Sequence, residues 1–279
     1  MTTSPSVVPP TAAGGAGALL RHWRQLRGKS QLDLALDAGI SQKHVSFLET
    51  GRSQPSAQMV LDLADALDVP LRERNAILLA AGYAPRYSEA AIDAPPLARV
   101  TAALRRMLLQ NEPFPAVVMD RHWNVLLSND AAPKFFGCFT DLSTRSAPRN
   151  LLHLMFDPTG LRPFVRDWPA TARMLIARVR REALSYAVDL GTRQLLDELA
   201  RYPEVNALPR APEPDSASPL IPLTLSKDGV AMSYFSLLTT VGTPLAVAAQ
   251  ELRLECMIPA DEATEHGHTD FVARNAIHL

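Results

Sequence analysis

The sequence predicts two domains of different class: an all-α domain of five short helices, then an α+β domain with an antiparallel sheet. Three observations carry this. Residues 18–87 hold short runs of helical apolar periodicity, each opened by a capping residue or proline or closed by glycine. The stretch 88–96 breaks that pattern with mixed polar residues ending in Pro95-Pro96. Beyond it, strand-like runs recur at both ends of 97–258, so the sheet must be assembled from the two ends of the domain.

The helices follow in order. Leu19–Arg27 stops at Gly28; Ser30 caps Gln31–Ala38, which stops at Gly39; Ser41 caps Gln42–Thr50, which stops at Gly51. Pro55-Ser56 opens Ala57–Leu67, with Val60, Leu63, Ala64 and Leu67 on one face, and Leu71–Ala81 closes at Gly82. In the second domain Leu97–Gln110 reads as a helix, and Ala116–Asp120 and Trp123–Leu127 as strands joined by a tight Arg121-His122 hairpin. Helices are expected at Asn150–Phe156, Pro169–Val188 and Thr192–Ala200, a Pro/Ser/Asp loop at Arg210–Pro219, and strands at Ile221–Ser226, Val230–Thr239 and Glu251–Ile258. Residues 1–17, rich in Pro, Ser, Thr, Ala and Gly, read as a disordered tail, and 259–279 as a flexible one.

Composition narrows the function. A 47% hydrophobic content in 279 residues can bury a sizeable core in about two domains. The net charge of −1 means that any nucleic-acid surface must be local. Cys138 and Cys256, far apart in apolar surroundings, suit structural thiols in a reducing cytoplasm and fit neither a disulfide framework nor a zinc site. No apolar run approaches the ~20 residues that span a bilayer, and the N-terminus lacks the basic and apolar regions of a signal peptide. The expectation is a cytoplasmic protein with no membrane partner and no cofactor.

The informative segment runs from Ser30 to Arg52. Two capped helices meet at a turn on Gly39, with small Ala35 at their crossing, Ile40 plugging the turn, and Val45 and Leu48 facing inward. The opposite side offers Gln42, Lys43, Ser46 and Phe47. Gln bonds adenine bidentately, Lys bonds guanine, and an apolar ring meets the thymine methyl. Arg21, Arg24, Arg27, Lys29, Lys43 and Arg52 face only Asp33, Asp37 and Glu49, so this stretch is basic in a chain that is not. So modest an excess predicts few phosphate contacts and a homodimer on double-stranded DNA.

Ser30-Gln31, Leu34-Ala35, Gly39-Ile40-Ser41, Ser46, Glu49, Gly51-Arg52 and Pro55-Ser56 resemble the lambda-repressor/Cro (XRE-type) helix-turn-helix family. The resemblance implies a transcription regulator in which Gln31, His44 and Arg52 contact phosphates. Gln42, Lys43, Ser46 and Phe47 lie against bases, and Arg24 pairs with Glu49. An antitoxin-like protein-interaction module with a repurposed helix-turn-helix is the alternative.

In the second domain, Pro115-Ala116, Asp120, Trp123, Asn129, Arg149-Asn150-Leu151-Leu152, Met155-Phe156 and Asp167-Trp168 resemble the MmyB-like, PAS-like ligand-binding domain. The resemblance lapses after Ala200, where a proline-rich loop stands. It implies a pocket lined by Phe114, Val117, Met119, Trp123, Phe135, Phe136, Met155, Phe156 and Trp168. Asn129 or an arginine would hold the polar end of a small apolar, fatty-acyl-like ligand. The same residues at the same spacing also describe an ordinary core. Asp120/His122, His153/Asp157 and Cys138 lack a supporting third group, so no catalytic site is expected. Glu262, Glu265, His266, His268 and Asp270 are metal-capable, but read as a solvated tail with no metal.

Overall fold

The computed structural model describes residues 15–183, 190–207 and 223–275. It contains an N-terminal helical region followed by an α+β region with a five-stranded antiparallel, curled sheet. Two compact units divide it. Among the described residues, the first takes 15–89, 182–183, 190 and 245–250, and the second takes the rest.

The first unit holds α1 (Gly15–Leu26), α2 (Gln31–Asp37), α3 (Gln42–Glu49), α4 (Ala57–Ala66) and α5 (Leu71–Ala80). Their apolar faces close one core around Leu20, Trp23, Leu34, Val45, Leu48, Leu63 and Ile77. Helix α1 starts earlier than its periodicity predicts. Gly15–Gly17 were expected in the tail, yet Ala16 is buried and Gly17 sits against the end of α3. Residues 1–14 lie outside the described part. Pro70 gives α5 no side-chain cap, and the Leu71 N–H donates instead to Gln250 Oε1 at 2.7 Å.

The second unit opens with a short 3-10 turn (Pro95–Leu97) and α6 (Ala98–Gln110). Strands β1 (Ala116–Met119), β2 (Val125–Ser128), β3 (Leu223–Lys227), β4 (Val230–Thr240) and β5 (Arg253–Pro259) pair in the order β2-β1-β5-β4-β3. The chain thus brings strands from both ends of the domain together at β1 and β5. Strand alternation splits β1: Ala116 and Val118 join Leu104 and Leu108 of α6, while Val117 and Met119 enter the large aromatic core on the other face.

The expected two-residue hairpin is instead a longer loop. Asp120 Oδ1 accepts the N–H groups of His122 and Asn124, and Trp123 is held at φ 68 outside either strand. Helix α7 (Ala131–Gly137), with Pro133 inside it, was not legible. After α8 (Leu151–Phe156) come α9 (Trp168–Ala183) and α10 (Leu190–Ala200); 184–188 of the expected long helix, the Arg210–Pro219 loop and 221–222 of the expected strand lie outside the described residues. A short α11 (Val247–Glu251) takes the start of the expected last strand.

The largest correction is at the C-terminus. The segment expected as a flexible tail forms α12 (Glu262–Asn275), which buries His268 and Phe271 in the aromatic core. Its weak amphipathic signal hid the burial, because only every third or fourth residue (Thr264, His268, Phe271) faces in and two of these are polar.

Candidate nucleic-acid interface

The candidate interface is built on α2 and α3. Ser30 caps α2 through a reciprocal pair: its Oγ accepts the Asp33 N–H at 3.1 Å, and Asp33 Oδ2 accepts the Ser30 N–H at 2.8 Å. Gly39 turns the chain at φ 65, where a side chain is strained, and the Ile40 N–H returns to the Ala35 carbonyl at 2.9 Å. Ser41 then caps α3 by accepting the His44 N–H. Val45 and Leu48 are buried, Gln42 and Lys43 are exposed, and His44, Ser46 and Phe47 are half-buried. The sequence-predicted side chains of α3 therefore share one accessible side.

A buried ion pair braces this surface. Arg24 of α1 donates through Nε to Glu49 Oε1 at 2.5 Å and through a terminal nitrogen to Oε2 at 2.9 Å, with its other terminal nitrogen on the Lys29 carbonyl. Gln31, expected at a phosphate, donates its amide to Glu49 Oε2 at 2.9 Å and belongs to this network in the free protein. Arg27 and Lys29 are also spent inside the unit, Arg27 on the Leu67 and Asp68 carbonyls and Lys29 on Asp37 and the Ala66 carbonyl. Lys43 and Arg52 instead reach toward the Phe47 ring, at 5.5 and 5.8 Å from its centroid.

In the second unit the residues expected to line a pocket are packed. Phe135 makes ring contacts with Phe136, Phe139, Tyr234 and His268 at 5.2–5.6 Å. Val117, Met119, Trp123, Met155 and Phe156 are buried in the same cluster, with Phe114 and Trp168 against it. Asn129 is consumed by backbone: its Oδ1 accepts from Ala116 and Ala132, and its Nδ2 donates to the Phe114 and Leu108 carbonyls. These four contacts occupy both donor and both acceptor positions of the amide in this structure. A shallow depression of about 360 Å³ lies at the surface beside Trp168, lined also by Pro158, Arg162, Pro163 and Pro203.

The His153/Asp157 pair separates. Asp157 pairs with Arg145 at 2.9 Å, while His153 sits between Tyr202 Oη and Glu198 Oε2 at 3.0 and 3.1 Å. Burial pushes the Cys138 thiol up to about 11, which keeps it protonated and poorly nucleophilic. Among the described residues no group of three or more His, Cys, Asp or Glu side chains could hold a metal, and no helix is long and apolar enough to cross a membrane.

His268, expected in a solvated tail, is buried instead, with Nδ1 2.6 Å from Tyr234 Oη and Nε2 2.9 Å from the Pro113 carbonyl. Burial holds His268 below the ordinary imidazole value of 6.5, and does the same to His22. Folding therefore favours the neutral form of both, whereas the unfolded chain takes up their protons more readily as pH falls through 6.5. Their contribution to stability is therefore fully present above that value and is lost as pH falls below it. Thermal unfolding from pH 7 to 5 is expected to show a falling Tm, and His268→Gln, although less stable at pH 7, a shallower fall. A flat wild-type profile would contradict this assignment.

A family model described as MmyB-like transcription regulator ligand binding domain matches residues 100–268. The chain belongs to this family. A second model, described as helix-turn-helix, matches residues 20–74 of this MmyB-like chain. No curated protein matches the MmyB-like chain. Among solved structures it is similar to one described as "Structure of an RNA-binding Light-Oxygen-Voltage Receptor", at 13% identity and a TM-score of 0.28, over 93% of this chain. The chain spans 61% of the length of that structure.

Proposed function

We propose that the protein binds specific double-stranded DNA sequences as a homodimer on the chromosome in the cytoplasm and answers to a small apolar effector. The observation that carries this reading is the shared accessible side of α3, where Gln42 and Lys43 stand exposed beside Ser46 on a helix braced from behind by Arg24–Glu49. A major groove presents the donors and acceptors that such side chains read. His44 and Arg52 flank them for phosphate contact. Because Arg27 and Lys29 are occupied within the unit, one protomer has few cations for the backbone, and two protomers on successive grooves supply the affinity.

The effector belongs with the aromatic domain of residues 100–268. Its apolar character follows from that core, and its entry requires either the depression beside Trp168 or displacement of side chains now in contact. Any coupling to DNA needs the effector to bind one arrangement of the protein better than another.

A fluorescence anisotropy titration against selected genomic fragments, with scrambled competitor and several salt concentrations, tests the reading. Gln42→Ala is expected to relax preference at its base position by roughly 1–3 kcal/mol of discrimination, while Arg52→Ala weakens all sequences alike and lowers the salt slope by about 1. Uniform loss from both variants would sink the division between base and phosphate contacts. The exposed Leu32 and Leu36, one turn apart on α2, favour the second reading of a protein-interaction module. DNA binding only in the presence of a partner protein would support it.

A further inference from the structure

We infer that Phe47 is a positioning residue for DNA binding: its ring holds Lys43 and Arg52 in place rather than touching a base itself. The inference rests on the DNA-binding reading of α3 and goes beyond it in dividing labour within the helix.

Phe47 lies one helical turn after Lys43, and its carbonyl accepts the N–H groups of Arg52 and Ser53 at 2.9 and 3.2 Å. The backbone that ends α3 therefore delivers Arg52 to the same ring that Lys43 reaches along the helix. The lysine nitrogen is 5.5 Å and the guanidinium carbon 5.8 Å from the ring centroid, both inside the range of cation–π attraction. The ring is half-buried, while both cations are exposed. Lysine and arginine are long side chains that lose rotamer freedom when a phosphate or base orders them. An aromatic face that gathers them beforehand removes part of that loss and offsets the repulsion of two like charges placed near each other. A leucine fills similar apolar volume but has no quadrupole, so it separates packing from the cation–π role.

The test uses the full-length protein and a mixed-sequence 24-base-pair duplex, so it needs no known operator. In the free wild type, ring-current shifts of the Lys43 Hε and Arg52 Hδ protons report the contacts by NMR. Phe47→Leu is expected to abolish those shifts, leave Tm nearly unchanged and weaken binding to the duplex about fivefold. Phe47→Tyr should restore both shifts and affinity. Duplex affinity in Phe47→Leu equal to wild type would overturn the proposal, as would a selected site at which replacing thymine with uracil weakens the wild type but not Phe47→Leu, since Phe47 would then read a methyl group. Failure of the wild type to bind any duplex would instead refute the DNA-binding reading beneath it.

Discussion

Replacing Gly17 with alanine is expected to destabilise the N-terminal unit by about 3 kcal/mol, the upper end of the usual range for overpacking. A methyl group at this position would lie inside van der Waals distance of the Leu48 carbonyl oxygen and 3.1 Å from that of Glu49. Both neighbours are backbone atoms at the end of α3, so no side chain can rotate away. Relief requires α1 to move off α3, and α1 carries Leu20, Trp23 and Arg24 with it. The same displacement pulls Arg24 from Glu49 and loosens α3. Urea unfolding followed by hydrogen exchange in α1 and α3 would measure the loss, and duplex affinity should fall in parallel. By contrast, Gly28→Ala meets no atom within 4 Å and is strained only by its φ of 65, so its loss should be smaller, on the order of 1 kcal/mol. If the two variants were equally stable, the close crossing of α1 and α3 would be wrong.

Glu49→Ala is expected to produce the other large loss. Its carboxylate is buried, and it receives two hydrogen bonds from Arg24 and one from Gln31. Removing it strands a largely buried guanidinium that keeps only the Lys29 carbonyl as partner. Breaking such a pair from one side costs about 3–5 kcal/mol; the lower end applies here because the Arg24 side chain retains some access to water. Replacing both partners with apolar residues, Arg24→Met with Glu49→Leu, should recover most of the stability, since the unpaired charge goes too. A double-mutant cycle by urea unfolding isolates the pair. Glu49→Ala within about 0.5 kcal/mol of wild type would reduce the pair to an ordinary surface contact.

These two expectations show where sequence reasoning reached and where it stopped. The partnership of Arg24 and Glu49 followed from the family pattern, and the caps at Ser30 and Ser41 followed from residue type alone. Gln31 was assigned by the same pattern to a phosphate, yet its amide also finds Glu49, a contact that depends on how α2 and α3 cross. Gly17 carried no signal at all. A glycine in a stretch of Pro, Ala and Gly reads as disorder unless the helix that it must touch is known.

The second domain repeats the lesson on a larger scale. Its aromatic and methionine residues were visible as a set, but spacing could not distinguish a pocket lining from a packed core. In the structure Phe135 makes ring contacts with four neighbours, and Asn129 is hydrogen-bonded to the backbone of Ala116 and Phe114. His268 was counted among the polar residues of a tail, whereas Tyr234 and the Pro113 carbonyl hold it in the core.

What the sequence by itself determined was the helix-turn-helix, its two caps, its glycine turn and the side of α3 that stays accessible. Those features are set by residues within one or two helical turns, so local propensity and capping suffice. Only the tertiary structure decided where α1 begins, that α12 is a core helix and which polar groups are already satisfied. Each depends on atoms far apart in the chain, and a buried hydrogen bond or a close backbone crossing has no local signature.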